Sequence, residues 1–212
     1  SGFASWFVGG CVRNALLDQS ISDYDIATTA KPSDLISIFK DQCQIDAKGI
    51  AFGSIRINCK HLWLEITTLR QDINQDGRHT EVIFTTDLAK DAERRDFTVN
   101  ALYWNGNENS PIIDLVNGQA DLNAKIIRFI GNPDDKVQED YLRILRFFRF
   151  SAIYGNNLEQ TALAACTKHQ QGLQHLSGNR IWPEWSKMLF QQNTIMALQA
   201  INSTGIALTL FG

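Results

Sequence analysis

Gly9-Gly10, followed within one short helix by Asp23-Tyr24-Asp25, constrains this chain more than any other stretch of it. Residues 12–17 read as that helix, so the glycine amides sit at its positive N-terminal end, where anions are favoured. Alternate residues of a strand point to one side, so Asp23 and Asp25 present their carboxylates together and Tyr24 turns the other way. Like charges at that spacing repel unless a cation lies between them, and carboxylate oxygens of this kind suit Mg2+ bridged to phosphates. Glycine lets backbone N–H groups approach a phosphate closely. The two features together point to phosphoryl or nucleotidyl transfer.

A chain of 212 residues suffices for one large or two small domains with a real core. No apolar run reaches the roughly 18 residues that a membrane span needs, and the first residues lack the basic region and cleavage pattern of a signal peptide. With a net charge of −3, a nucleic-acid partner would be met by a local basic patch and not by the whole surface. Cys11, Cys43, Cys59 and Cys166 form no Cys-x-x-Cys pair, and with His61, His79, His169 and His175 they complete no zinc pattern. Free thiols in a reducing cytosol, hence a cytoplasmic protein, are the expectation.

Pro32-Ser33-Asp34 is expected to cap a helix over 34–40. Residues 52–58 and 61–68 read as strands joined by a tight turn at Cys59-Lys60. Residues 71–80 are polar, with a turn at Asn74-Gln75-Asp76-Gly77, and read as a mobile loop. A helix is expected over 89–101, then a hairpin of 102–104 and 112–115 around Asn105-Gly106-Asn107. Helical periodicity is strong over 134–154 and continues in amphipathic pieces to Ile206. The chain thus divides into a mixed α/β part, 1–133, and an all-helical part, 134–212.

Arg13 stands three residues beyond Gly10 on the first turn of the same helix, where a guanidinium can clamp phosphate oxygens. Glu65, inside the otherwise apolar Trp63-Leu64-Glu65-Ile66, is costly to bury unpaired. It is either a third carboxylate beside the metal or a charge that faces solvent or pairs with Arg56 or Arg70. In Arg94-Arg95-Asp96-Phe97-Thr98-Val99-Asn100 the adjacent arginines do not share a helix face. One is therefore expected to reach a ligand while the other holds the protein together. Asp96 and Asn100, at i and i+4, are expected on one face, orienting a sugar hydroxyl or an arginine. Downstream, Asp140, Arg143, Arg146 and Arg149 recur every third residue as a polar ridge. That ridge is either a set of i,i+3 ion pairs or a base-reading edge. In the second case a carboxylate accepts from the exocyclic amine of cytosine or adenine, and a guanidinium donates to the ring nitrogen beside it.

In this order, over residues 7–180, the four segments resemble the class II tRNA nucleotidyltransferases, the CCA-adding enzymes of the polymerase-β-like superfamily. Glu65-Ile66-Thr67-Thr68-Leu69-Arg70, Asp76-Gly77-Arg78-His79, Arg94-Arg95-Asp96-Phe97-Thr98 and Glu139-Asp140-Tyr141-Leu142-Arg143 are similar to the alphaproteobacterial and mitochondrial branch. The resemblance implies an α+β fold, a head with a mixed sheet followed by an all-α neck and the start of a body. It implies that Asp23 and Asp25 hold Mg2+, with Glu65 as a further catalytic carboxylate. Gly9, Gly10, Arg13 and Arg95, with Asp96 and Asn100, would meet the incoming nucleotide. Asp140 and Arg143 would pair with the base of CTP or ATP, with Arg146 and Arg149 beside them. The loop 71–86 would serve the switch to ATP, and the 3′ end of tRNA would be the acceptor. Asn14, Gln19 and Phe52 depart from the Asp, Gly and His usual in the family, and Asn117-Gly118-Gln119 from its glycine pair. Members usually carry further helical body and tail, so the resemblance implies a fragment or a reduced form.

Overall fold

Ile55 and Ile57 are buried on either side of exposed Arg56, the period of a strand with one covered face. The same alternation builds the sheet around it. The computed structural model describes residues 2–73 and 81–212. Their packing falls into two units, one of residues 2–73, 81–95 and 99–118, the other of residues 96–98 and 119–212.

The first unit runs β1 (Ser5–Val8), α1 (Gly10–Leu16), β2 (Tyr24–Thr28), α2 (Pro32–Phe39), β3 (Gln44–Asp46), β4 (Ser54–Cys59), β5 (Leu62–Thr68), β6 (Arg70–Ile73), β7 (Glu81–Phe84), α3 (Leu88–Glu93), β8 (Leu102–Trp104) and β9 (Ile113–Asp114). Seven strands form one sheet in the order β3-β4-β5-β2-β1-β8-β9. The β2–β5 pairing is parallel and the others are antiparallel, so the sheet is mixed as expected. Ala30, Leu35, Ile55, Ile57 and Ile66 are the buried centre of one core, with α2 packed over it. The expected turn between β4 and β5 is made by Lys60 and His61, both at positive φ, the twist that suits a tight hairpin. The expected hairpin of β8 and β9 is present.

Three local expectations are corrected. Gln71-Asp72-Ile73 is not loop but strand β6, paired with β7 as a separate ribbon; the turn at Asn74-Gln75-Asp76-Gly77, with Arg78-His79, lies outside the described residues. The helix expected over 89–101 stops at Glu93, and Thr98–Asn100 forms a short 3-10 turn. The cause is Phe97, whose ring enters the core of the second unit and draws the chain out of helical register. Cys43 and Cys59 are not free. The β3–β4 register places them opposite each other with Cα atoms 4.8 Å apart, and they are joined as a disulfide; Cys11 and Cys166 are the free, buried thiols.

The second unit holds α4 (Gly118–Ala124, all but its first residue), α5 (Pro133–Glu139), α6 (Leu142–Tyr154), α7 (Gln160–Lys168), α8 (Gly178–Leu189), α9 (Thr194–Ser203) and α10 (Ile206–Phe211). Its centre is aromatic. Phe97 lies 4.9 Å from Phe129 and 5.3 Å from Phe150 between ring centroids, and Phe129 stacks on Phe147 at 5.9 Å. Burying Phe97 contributes roughly 1.5–3 kcal/mol, which explains why residues 96–98 belong to this unit. The helix expected over 134–154 is broken at Asp140-Tyr141 into α5 and α6. Among the described residues no helix is long and apolar enough to cross a membrane.

Candidate active site

Asp25 lies on β2, in register with Glu65 on the parallel neighbour β5, so the two carboxylates stand side by side on one face of the sheet. Asp23 immediately precedes the strand and is exposed, accepting from Ser22 Oγ at 2.8 Å. Tyr24 turns the other way, as expected. With Phe7, Cys11, Leu16 and Trp104 it lines an apolar cavity of about 260 Å³. Burial raises the pKa of Asp25, and the charges of Glu65 and Asp23 raise it further against the pull of Arg95 and Arg13. Glu65 is exposed and accepts from Ser54 Oγ at 3.1 Å, with Arg56 its register neighbour on β4. Glu65 and Asp23 thus both act on Asp25, and a cation beside Asp25 would relieve that repulsion.

Gly9 has a φ of 73°, in the left-handed region that glycine adopts without strain. Its N–H is not directed outward but donates to Leu102 O at 3.2 Å, tying the turn to β8. A Cβ added at Gly9 would stand 3.8 Å from Arg95 Nη1 and 3.9 Å from Asp25 Oδ2, so both polar groups border the glycine. Arg13 is buried, donates to Asn100 Oδ1 through Nη1, and donates to Asn14 Oδ1 at 3.1 Å through Nη2. The Asn14 that departs from the family pattern is therefore a direct partner of Arg13. Both Arg94 and Arg95 bind Asp91, and of the two it is Arg95 whose Nη1 borders Gly9. One carboxylate serves two adjacent arginines because its oxygens diverge.

Asp96 and Asn100 do not share a helix face. Asn100 holds Arg13, whereas Asp96 belongs to the second unit, where its Oδ2 accepts from Arg146 Nε at 2.7 Å. Burial lowers the Arg146 pKa, but Asp96 and Glu184 outweigh it and the net shift is upward. The ridge is likewise split. Asp140 sits beyond the end of α5 in extended backbone and accepts from Leu142 N at 3.1 Å, starting α6. Arg180 Nη2 donates to both of its oxygens, at 3.0 and 2.8 Å. Arg143 pairs with Glu139 and donates to Lys136 O at 3.0 Å. Arg149 meets Glu184 at 3.0 Å and lies over the Phe150 ring at 4.4 Å.

The partners Asp91, Glu139, Arg180 and Glu184 were not singled out from the sequence. Asp91 carried a signal, since Arg94 and Arg95 follow it at i+3 and i+4, the helical spacing for ion pairs. Among the described residues no three His, Cys, Asp or Glu side chains are grouped to hold a metal by themselves. Mg2+ is held by one or two carboxylates and completes its shell with water and substrate phosphates, the donor chemistry that Asp23 and Asp25 offer.

Residues 5–128 match the family described as the poly A polymerase head domain. The chain is 40% identical over 207 residues to the mitochondrial CCA tRNA nucleotidyltransferase 1 of Mus musculus, covering 94% of this chain and 46% of that protein. It is 39% identical to the CCA-adding enzyme of Oceanobacillus iheyensis, covering 95% and 50%. Its fold is similar to the crystal structure of the Bacillus stearothermophilus CCA-adding enzyme in complex with CTP, with a TM-score of 0.88 and 33% identity over 100% of this chain and 50% of the other. The chain thus spans about half the length of these relatives.

Proposed function

Since the chain belongs to the poly A polymerase head-domain family, the class II nucleotidyltransferases, we propose that it adds C and A residues from CTP and ATP to the 3′ end of tRNA. The observation that carries this reading is the border of Gly9, where the Asp25 carboxylate and the Arg95 guanidinium meet at one glycine. A carboxylate that wants a cation beside a guanidinium that wants an anion is the charge pattern of a metal-bound triphosphate.

In the reaction, the terminal 3′ hydroxyl oxygen bonds to the α-phosphorus, the bond to the β-phosphate breaks, pyrophosphate leaves, and the hydroxyl proton passes to solvent. Asp23 and Asp25 would hold two Mg2+ ions, which activate the hydroxyl and neutralise the leaving group when bound. Glu65, in register with Asp25, supports the ionic site from the neighbouring strand. Arg95 and Arg13 stabilise charge on the triphosphate, and Asn100 fixes the rotamer of Arg13. Asp140 and Arg143 select the base. Arg180 holds the Asp140 carboxylate as an acceptor for the exocyclic amine of C or A, at the position where U and G carry a carbonyl. Arg146 and Arg149 lie along α6 beside them, held by Asp96 and Glu184. The chemical groups and the base-selecting groups belong to different packing units, and the relatives' names support tRNA as the acceptor.

The test offers this chain tRNA ending before CCA, after C and after CC, with CTP and ATP separately and together. Incorporation of both nucleotides in order is expected. Long runs of A on any RNA would identify a poly(A) polymerase, and CTP or ATP alone a partial enzyme. Asp140→Ala is expected to lower discrimination against UTP and GTP by about 10–100-fold, the worth of one lost bidentate base contact. Unchanged base selectivity in that variant would refute the template assignment.

A further inference from the structure

Asp91 on α3 is fully buried, at 0% exposure, in a position where a lone carboxylate is costly. Its two oxygens have separate tasks. Oδ1 accepts from Arg94 Nε at 2.9 Å and meets Arg94 Nη2 at 2.7 Å, with the backbone N of Arg70, at the start of β6, 3.5 Å away. This oxygen fastens the carboxylate to its surroundings. Oδ2 accepts from Arg95 Nε at 3.1 Å, from Arg95 Nη2 at 2.9 Å and from the Tyr103 hydroxyl at 2.9 Å. The same hydroxyl accepts from Arg95 Nε at 3.1 Å, and the Tyr103 ring lies 5.3 Å from the guanidinium carbon.

Two guanidiniums share this one carboxylate, each at its own oxygen. The Nε and Nη2 edge of Arg95 is engaged by Asp91, and Nη1 is the nitrogen that borders Gly9. A planar guanidinium gripped along one edge has its opposite corner fixed in space. Burial pushes the Asp91 carboxyl up, but Arg95 and Arg94 outweigh it and hold it below the usual carboxylate range.

Resting on the nucleotidyltransferase reading above, we propose that Asp91, with Tyr103, is the positioning unit for Arg95, aiming its Nη1 at the triphosphate beside Gly9. Pre-ordering this contact removes the cost of ordering a long side chain on binding. A residue serving stability alone would have no preference between ligands with and without phosphates.

The test titrates the 212-residue chain with CTP in Mg2+ and, separately, with cytidine. It compares wild type, Asp91→Asn, Tyr103→Phe, Arg95→Ala and the Asp91→Asn/Arg95→Ala pair by calorimetry. Asp91→Asn is expected to weaken CTP about tenfold, the scale of one charged hydrogen bond, and to leave cytidine within about twofold. In the Arg95→Ala background, Asp91→Asn should weaken CTP by no more than about twofold, because the residue it aims is gone. Tyr103→Phe keeps every charge and should weaken CTP about threefold. Equal weakening of CTP and cytidine, or a full penalty in the Arg95→Ala background, would overturn the positioning role. Should Asp91→Asn fail to fold, Tyr103→Phe decides alone, and unchanged CTP affinity there overturns the proposal. Wild-type chain that binds CTP no better than cytidine would overturn the nucleotide reading, and this proposal with it. A wild-type preference for CTP that Asp91→Asn leaves undiminished would overturn the positioning role only.

Discussion

Half-buried Asp25 and fully buried Asp91 both belong to the first unit, yet their pKa values shift in opposite directions. Burial, Glu65 and Asp23 raise Asp25, whereas Arg95 and Arg94 more than cancel the burial of Asp91. A raised folded-state pKa means that Asp25 takes its proton at a pH where the unfolded chain would still hold it ionised. Cation binding needs the ionised form. Mg2+-dependent CTP affinity should therefore fall, as pH is lowered, above the ordinary carboxylate value of 3.8. Glu65→Gln removes one repelling charge and should move that acid limb to lower pH, measured by CTP titration at stepped pH. A limb that stays in place would show that Glu65 does not act on Asp25. Asp91 stabilises the folded chain above the ordinary value, and that contribution disappears only as pH falls through its own, lower one. The spacing of two residues keeps Asp23 near Asp25 along the chain, but Asp23 precedes β2, so the strand alternation expected to align the two does not extend to it. For Glu65 the chain left two readings open, and only the β2–β5 pairing makes it a neighbour of Asp25.

Elements were legible where periodicity alone decides them and failed where a side chain competes with the backbone. The strands β4 and β5, their turn, and the β8–β9 hairpin follow the expected spans. The break between α5 and α6 was missed because Asp140 accepts from Leu142 N, a local hydrogen bond that ends one helix and starts the next. Tyr141 is packed against this break by Gly172, where an added Cβ would stand 2.1 Å from the Tyr141 ring. Gly172→Ala should therefore displace Tyr141 and the Asp140 turn with it. The expected cost is about 1–3 kcal/mol of stability, read by denaturant unfolding. Reduced discrimination between CTP and UTP should accompany it, with Mg2+ dependence unchanged. A variant as stable and as selective as wild type would show that Tyr141 does not support the turn.

For the whole molecule, the division into two packing units places Asp23 and Asp25, the proposed metal carboxylates, in one and Asp140 and Arg143, the proposed base-selecting pair, in the other. Each unit carries its own buried ion pairs. In the second, Glu184, 8% exposed, meets Arg149 at 3.0 Å and Arg146 at 3.7 Å. Glu184→Ala removes the carboxylate that Arg149 meets, while Arg146 keeps Asp96, and should destabilise the second unit by about 3–5 kcal/mol. Thermal unfolding should show it, and a change near zero would mean that the pairs are screened by water. What the sequence determined by itself is the set of local alignments: a carboxylate pair beside a glycine turn, a mixed sheet followed by helices, and a row of arginines along α6. Tertiary structure alone decided which charges pair across long stretches of chain. Asp96 reaches Arg146 across 50 residues and Asp140 reaches Arg180 across 40. A buried charge takes the counter-charge that packing brings within about 3 Å, and no local period of helix or strand records that choice.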